Sequence, residues 1–132
     1  MKYLLDSNAL IALLNKNPDF IQKITQYSPQ DFALSSIVLF ELTFGAYKSQ
    51  KTAENLAKLA KLPFALLPFE QADAQCAGEI RADLQRKGTP IGAYDVLIAG
   101  QAIAQDLVLI THNVHEFSRV AQLKFEDWQP EK

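Results

Sequence analysis

The sequence has few residues of the kinds that build redox or zinc sites. Cys76 is the only cysteine among 132 residues, which excludes an internal disulfide and a cysteine-based zinc cluster. The two histidines, His112 and His115, lack the i, i+4 spacing of helical zinc ligands, and we expect them at the surface. Because a chain with one cysteine suits a reducing compartment, a cytoplasmic location is predicted.

Glycine-rich loops and long apolar runs are also absent. Gly88 and Gly92 do not form a nucleotide-binding fingerprint, and no serine lies in a nucleophile elbow. The apolar amino-terminal segment is broken by Asp6, Ser7 and Asn8, and no small-residue cleavage pattern follows it. Since no stretch approaches the roughly 20 apolar residues of a membrane-spanning helix, no membrane association is predicted.

Neither sign of charge dominates the chain. Thirteen lysines and arginines stand against 15 aspartates and glutamates, which gives a net charge of −2. This balance supplies no general attraction to nucleic acid, but a metal ion or a local basic rim can still bring phosphate to an acidic site. The hydrophobic fraction of 48% is ample for a core, and the length predicts one domain over residues 1–132.

Short apolar runs alternate along the chain with amphipathic or apolar segments of helical length. Strands are predicted over 3–5, 32–34, 64–67, 107–110 and 124–126, and helices over 9–14, 19–27, 37–47, 52–62, 70–87 and 92–104. The strand at 64–67 is expected at a sheet edge, because Pro63 and Pro68 cannot donate hydrogen bonds. The alternation predicts a three-layer α/β sandwich with a mostly parallel sheet of about four or five strands.

Three carboxylates stand alone in apolar segments. Asp6 closes the first strand, and Glu41 and Asp95 are the only charged residues in 37–47 and 91–103. A buried carboxylate is unfavourable unless it is paired, hydrogen-bonded or bound to metal, and the chain has few arginines to pair with them. The pattern therefore favours a site for Mg²⁺ or Mn²⁺, which prefer oxygen ligands. The alternatives are structural ion pairs and, for Asp6, a helix cap that Ser7 can also provide.

A polar segment, Thr111–Phe117, follows the predicted strand at 107–110. In a parallel sheet the carboxyl end of that strand lies at the same edge as Asp6. Asn113 and Glu116 can each supply an oxygen to a metal or its waters, and Thr111 can orient a ligand. The alternative is that these groups only cap a short turn.

Taken together, the four segments resemble the PIN-domain ribonucleases, specifically the VapC-type toxins of bacterial toxin–antitoxin pairs. The resemblance covers nearly the whole chain in the same order. The matching segments are L-D-S-N at 5–8, I-V-L-F-E-L-x-x-G-A at 37–46, P-I-G-A-Y-D-V-L-I-A at 90–99 and T-H-N-x-x-E-F at 111–117. The resemblance implies that Asp6, Glu41 and Asp95 form a catalytic, metal-binding centre. Supporting roles are implied for Ser7, Asn8, Thr111 and Asn113. The family commonly has threonine where Ser7 stands.

The resemblance also implies a function. Its members are Mg²⁺-dependent endoribonucleases that cleave RNA, often tRNA or rRNA, and most are homodimers. A small VapB-type antitoxin neutralises them by covering the active site. Their fourth acidic position is often an aspartate at or near Asn113, whereas here the nearest acid is Glu116. The residue that completes the site is therefore left open between these two.

Two other functions remain as alternatives. One is a catalytically inactive PIN-like module that only binds a partner. The other is a phospho-accepting receiver domain, which requires a pair of acids after the first strand and a lysine after a late strand. Here Asp6 stands alone and residues 111–116 contain no lysine, which argues against a receiver.

Overall fold

The computed structural model describes residues 1–129. Residues 130–132, which the single-domain prediction includes, lie outside the described residues. The strands are β1 (Tyr3–Leu5), β2 (Phe32–Ser35), β3 (Ala65–Leu67), β4 (Val108–Ile110) and β5 (Phe125–Glu126). The helices are α1 (Ser7–Leu14), α2 (Pro18–Ile24), α3 (Ser36–Lys48), α4 (Thr52–Ala60), α5 (Gln71–Arg86), α6 (Ala93–Ala104) and α7 (Val114–Phe117), with a 3₁₀ turn at Pro29–Asp31.

The five strands form one parallel sheet in the order β3-β2-β1-β4-β5, which confirms the predicted α/β class. β3 lies at one edge, as its flanking prolines predicted, and β5 lies at the other. The strand order changes direction between β1 and β4, and parallel sheets bind ligands at the carboxyl ends of the strands at such a point. Leu5 pairs with Ile110, so Asp6 and Thr111 leave the sheet side by side.

The helix boundaries differ from the predicted ones by a few residues. α2 begins at Pro18, which was predicted to lie in a corner, because Oδ1 of Asn17 accepts a hydrogen bond from the Phe20 amide and caps the helix. α2 ends at Ile24, where the predicted helix continued to Tyr27. Gly88 follows the end of α5 with φ +70°, a conformation that glycine adopts readily after a helix.

A cluster of aromatic rings packs near the amino ends of β1 and β2. Trp128 is only 4% exposed. Its ring stacks on Tyr27, with centroids 5.3 Å apart, and meets the edge of Tyr3 at 5.2 Å. The indole is buried because it packs against rings from distant parts of the chain, Tyr3, Phe20, Tyr27 and Phe32.

Helices α5 and α6 pack closely and hold α6 in place. A Cβ atom on Gly100 would lie 2.6 Å from the backbone nitrogen of Ala77, so the two helices approach at a distance that only glycine permits. The fully buried Gln101 also donates from Nε2 to the carbonyl oxygens of Leu67 and Pro68. These contacts fix the helix that carries Asp95. No helix within residues 1–129 is long and apolar enough to cross a membrane.

Candidate metal and active site

Asp6 lies where β1 ends and α1 begins. Its Oδ1 accepts a hydrogen bond from the Ala9 amide at 2.8 Å, so Asp6 is the N-cap of α1. Its own amide donates to the carbonyl oxygen of Ile110 at 3.1 Å, which ties it to β4. The suggestion that Ser7 caps the helix and frees Asp6 is wrong, because Ser7 is already the first helical residue. One carboxylate oxygen of Asp6 is thus committed to the cap.

Burial makes the Asp6 carboxylate unusually easy to protonate. Its side chain is 4% exposed, and desolvation, with a smaller contribution from the negative charge of Glu41, raises its pKa from 3.8 to about 6. Hydrogen bonds from the Thr111 side chain and the Ala9 amide oppose this rise in pKa. The hydrogen bonds to Asp6 therefore do not compensate its carboxylate for the loss of hydration. A nearby cation would provide that compensation.

Glu41 projects from the second turn of α3 towards α1. Ser7 Oγ donates a hydrogen bond to Glu41 Oε1 at 2.8 Å across the two helices. α3 starts directly after β2 because Ser35 Oγ accepts a hydrogen bond from the Ile37 amide and caps the helix. This cap sets the helical phase that brings Glu41 to the same edge of the sheet as Asp6.

Asp95 lies in the first turn of α6, and Gly92 is its N-cap residue. Its pKa is raised to about 7, first by burial, then by a hydrogen bond and charge repulsion with Glu116, and further by Glu41 and Asp6. A Cβ atom at Gly92 would lie 3.1 Å from Asp95 Oδ2, so the glycine leaves room for this carboxylate. Gly92 was predicted as the first residue of the helix at 92–104, whereas in the structure it is the N-cap residue before Ala93.

Asn113 and Glu116, which both follow β4, have different partners. The Glu116 carboxyl group meets Asp95, whereas Asn113 Nδ2 donates to Glu116 Oε2 at 3.0 Å. Thr111, which is 1% exposed, accepts at Oγ1 from the Asn113 amide at 2.9 Å. The structure thus brings Glu116 to the other acids and places Asn113 behind it as a hydrogen-bond donor.

The remaining predicted residues lie around this centre. Asn8 is exposed and makes no side-chain hydrogen bond to any part of the chain that the structure describes. His112 Nδ1 lies 3.0 Å from Asp127 Oδ2, and His115 is exposed beside Arg119. His112 is therefore more enclosed than a surface histidine, because the segment after β5 returns alongside it.

Asp6, Glu41, Asp95 and Glu116 form an acidic centre, and the nearby basic group of His112 lowers the pKa of Asp6. None of them makes an ion pair with a lysine or arginine of residues 1–129. No three acidic, histidine or cysteine side chains of the described residues are already arranged as a metal site. The donors nevertheless fit a hard divalent cation, since all are carboxylate oxygens and two of the four have pKa values raised by uncompensated burial. The contact between Asp95 and Glu116 is one that a cation would replace.

The chain matches a known family over most of its length. The PIN-domain model matches residues 3–123. This chain belongs to the PIN-domain family. Its PIN-domain relatives include the tRNA(fMet)-specific endonuclease VapC of Salmonella typhimurium, 38% identical over 130 residues, covering 97% of this chain and 98% of the relative. Ribonuclease VapC2 of Rickettsia felis is 38% identical over 133 residues, with the same coverage.

Solved PIN-domain structures agree with these relatives. DNA-bound VapBC from Salmonella typhimurium superposes with a TM-score of 0.91 at 37% identity, covering 97% of this chain and 98% of that one. VapBC2 from Rickettsia felis, bound to a DNA fragment from its promoter, gives 0.90 at 36% identity, with 98% and 100% covered. This chain therefore shares the fold of these VapBC toxin structures over nearly its whole length.

Proposed function

We propose that this PIN domain is a metal-dependent endoribonuclease and the toxin of a toxin–antitoxin pair. Relatives that match nearly its whole length are named endonuclease or ribonuclease VapC, and similar structures are VapBC complexes. The observation that carries the proposal is the acidic centre itself. Four carboxylates with no lysine or arginine partner among residues 1–129 meet at the ligand-binding edge of the sheet. The family membership argues against a receiver domain.

We assign metal binding and catalysis to Asp6, Glu41 and Asp95, and add Glu116 as the fourth acid. The contact of Glu116 with Asp95 supports this choice over Asn113, which has an amide that donates to Glu116. Ser7 and Thr111 then act as positioning residues for Glu41 and Asp6. Asn8 remains a supporting residue by resemblance alone. Mg²⁺, with Mn²⁺ as a substitute, suits an all-oxygen donor set.

The side chains of the acidic centre prepare it for an anionic substrate. When bound, the cation supplies an activated water and charge stabilisation for attack on a phosphodiester. Hydrogen bonds from the Ala9 amide and the Thr111 side chain orient the Asp6 carboxylate, and a hydrogen bond from Ser7 orients that of Glu41. Both carboxylates would therefore be oriented before a cation binds. Burial and the neighbouring Glu116 raise the pKa of Asp95 to about 7, so a bound cation would favour the ionised form of this carboxyl group.

The remaining parts of the proposal follow from the substrate and the relatives. The substrate is RNA, with tRNA or rRNA as the class to test first, and the protein partner is a VapB-type antitoxin. A cytoplasmic location follows because these RNAs are found there. We further propose that the chain acts as one nuclease domain and assembles as a homodimer.

The proposal is tested by RNA cleavage with the purified chain in Mg²⁺ or Mn²⁺. We expect cleavage that EDTA stops and that Asp6→Asn or Asp95→Asn reduces by about a hundredfold or more. The asparagine at position 6 preserves the helix cap, so folding is retained. Undiminished cleavage in these folded variants would overturn the proposal. A folded wild-type chain with neither cleavage nor a metal-dependent thermal shift would instead be an inactive binding module.

A further inference from the structure

Two glycines lie inside helices where the fold does not require them. Gly45 in α3 and Gly78 in α5 each have open space where a Cβ atom would stand. Glycine inside a helix costs about 0.5–1 kcal/mol relative to alanine. Packing within the chain therefore explains neither glycine, in contrast to Gly100, where α5 approaches.

Gly45 differs from Gly78 because it lines a cleft beside the acidic centre. The cleft lies between α1, α3 and α4, has a volume of about 450 Å³, and includes Ser7 and Glu41 in its wall. Gly45 stands one helical turn beyond Glu41, on the same side of α3. A side chain there would project into the cleft, so the glycine keeps the space next to the acids open.

The cleft combines an apolar wall with amide side chains. Ile11, Leu42 and Leu59 supply apolar surface, and Asn8, Asn15 and Asn55 supply amide groups that both donate and accept. Lys58 stands at the end formed by α4, and its only ion pair with described residues is a long contact of 3.9 Å to the exposed Glu54. The apolar side chains suit the face of a base, and the amide groups suit the hydrogen-bonding edge of a base. The ammonium group of Lys58 suits a phosphate.

The amide of Asn55 has a fixed orientation. Ser49 Oγ donates its one proton to the Ala46 carbonyl oxygen at 2.7 Å, so it must accept from Asn55 Nδ2 at 2.9 Å. Asn55 Oδ1 is then left without a hydrogen-bond partner among residues 1–129. One acceptor and one remaining N–H on a held side chain are the groups that read the edge of a base.

From this arrangement we infer that the cleft is a nucleotide subsite, which takes the RNA base next to the scissile phosphate. This inference rests on the proposed ribonuclease function and adds the part of the site that reads sequence. A neighbouring groove beyond Lys58 offers a contrast. It has apolar walls such as Tyr27, Phe32 and Phe64, and no amide or carboxylate side chain lines it. A polar-lined cleft that shares Glu41 suits a nucleotide better than an apolar peptide.

The test compares Gly45→Leu with Gly78→Leu, a matched control in an equally open helical position away from the cleft. Cleavage of single-stranded RNA with a randomised internal segment gives the base preference beside the cut, and one preferred RNA gives kcat and KM. We expect Gly45→Leu to raise KM about tenfold or more with kcat within about threefold, and to weaken the base preference. Gly78→Leu should match wild type. Asn15→Ala should weaken the base preference with little change in kcat.

A binding measurement separates this inference from the proposed function. With Asp95→Asn present in every chain to prevent cleavage, fluorescence anisotropy of the same labelled RNA should weaken on adding Gly45→Leu and not on adding Gly78→Leu. If wild type cleaves RNA but Gly45→Leu keeps its KM, base preference and affinity, the subsite is wrong and the function stands. If Gly45→Leu loses only antitoxin binding, the cleft is a protein-docking site and the inference is also overturned. If wild type cleaves no RNA, both fall.

Discussion

Ser7 Oγ lies 2.8 Å from Glu41 Oε1, and this hydrogen bond joins the first helix to the third at the rim of the acidic centre. Glu41 has no lysine or arginine partner among residues 1–129, so the serine hydroxyl is what holds its carboxylate. A hydrogen bond to a charged group contributes about 1.5–3 kcal/mol.

We therefore expect Ser7→Ala to lower kcat/KM for RNA by about tenfold or more, and to lower the free energy of unfolding by no more than about 3 kcal/mol. Ser7→Thr keeps the hydroxyl and should retain most of the activity. Steady-state kinetics on the three chains, with thermal melts to confirm folding, would measure this. Equal activity of Ser7→Ala and wild type would show that Glu41 needs no such support.

The raised pKa values of Asp6 and Asp95 predict the pH dependence of stability in EDTA. Both carboxyl groups take up a proton more readily in the folded chain, at pKa about 6 and about 7, than at the ordinary value of 3.8. Their contribution to stability is therefore complete below pH 3.8 and is lost as the pH rises through 6 and 7. Added Mg²⁺ should restore stability above that range.

Asp6→Asn tests this directly, because the amide keeps the helix cap and carries no charge. In EDTA at pH 8 we expect the variant to be more stable than wild type by about 1–3 kcal/mol, and at pH 4 the difference should disappear. Urea denaturation at the two pH values gives the free energies of unfolding. A variant less stable than wild type at pH 8 would contradict the assignment of desolvation as the dominant cause.

The contact between Glu116 and Asp95 predicts which residue completes the metal site. Glu116→Gln removes a charge that faces Asp95, so it should lower the affinity for Mn²⁺ by about ten- to a hundredfold. Asn113→Ala removes only a donor to Glu116 and should have a smaller effect. Titration of each chain with Mn²⁺, followed by thermal shift, ranks the two. The reverse order would give Asn113 the ligand role.

Gly100 predicts a large loss of stability on a small substitution. Gly100→Ala would place a methyl group 2.6 Å from the Ala77 nitrogen, and we expect a loss of about 1–3 kcal/mol as α5 and α6 move apart. Gly78→Ala, on α5 but in open space, should gain about 0.5–1 kcal/mol. Urea denaturation of both variants checks the opposite signs. If Gly100→Ala left the free energy of unfolding unchanged, α5 and α6 would be loosely packed.

The features that could be predicted from the sequence depend on residues within a few positions of one another. β1 was predicted with its boundaries because three apolar residues precede Asp6, and the edge position of β3 followed from its flanking prolines. Glu41 and Asp95 could be singled out because each is the only charged residue in an apolar segment, 37–47 and 91–103. These patterns reflect helical periodicity, backbone hydrogen bonding and the cost of burying a charge, all of which are local.

The tertiary structure decided how these residues meet. The hydrogen bond from Ser7 to Glu41, 34 positions away, depends on how α1 and α3 pack. That Glu116 rather than Asn113 faces Asp95 depends on how the segment after β4 lies against α6. The open cleft at Gly45 depends on α4 standing apart from α1. The sequence alone determined which carboxylates needed a partner, and only packing between distant segments determined that they would be partners to one another.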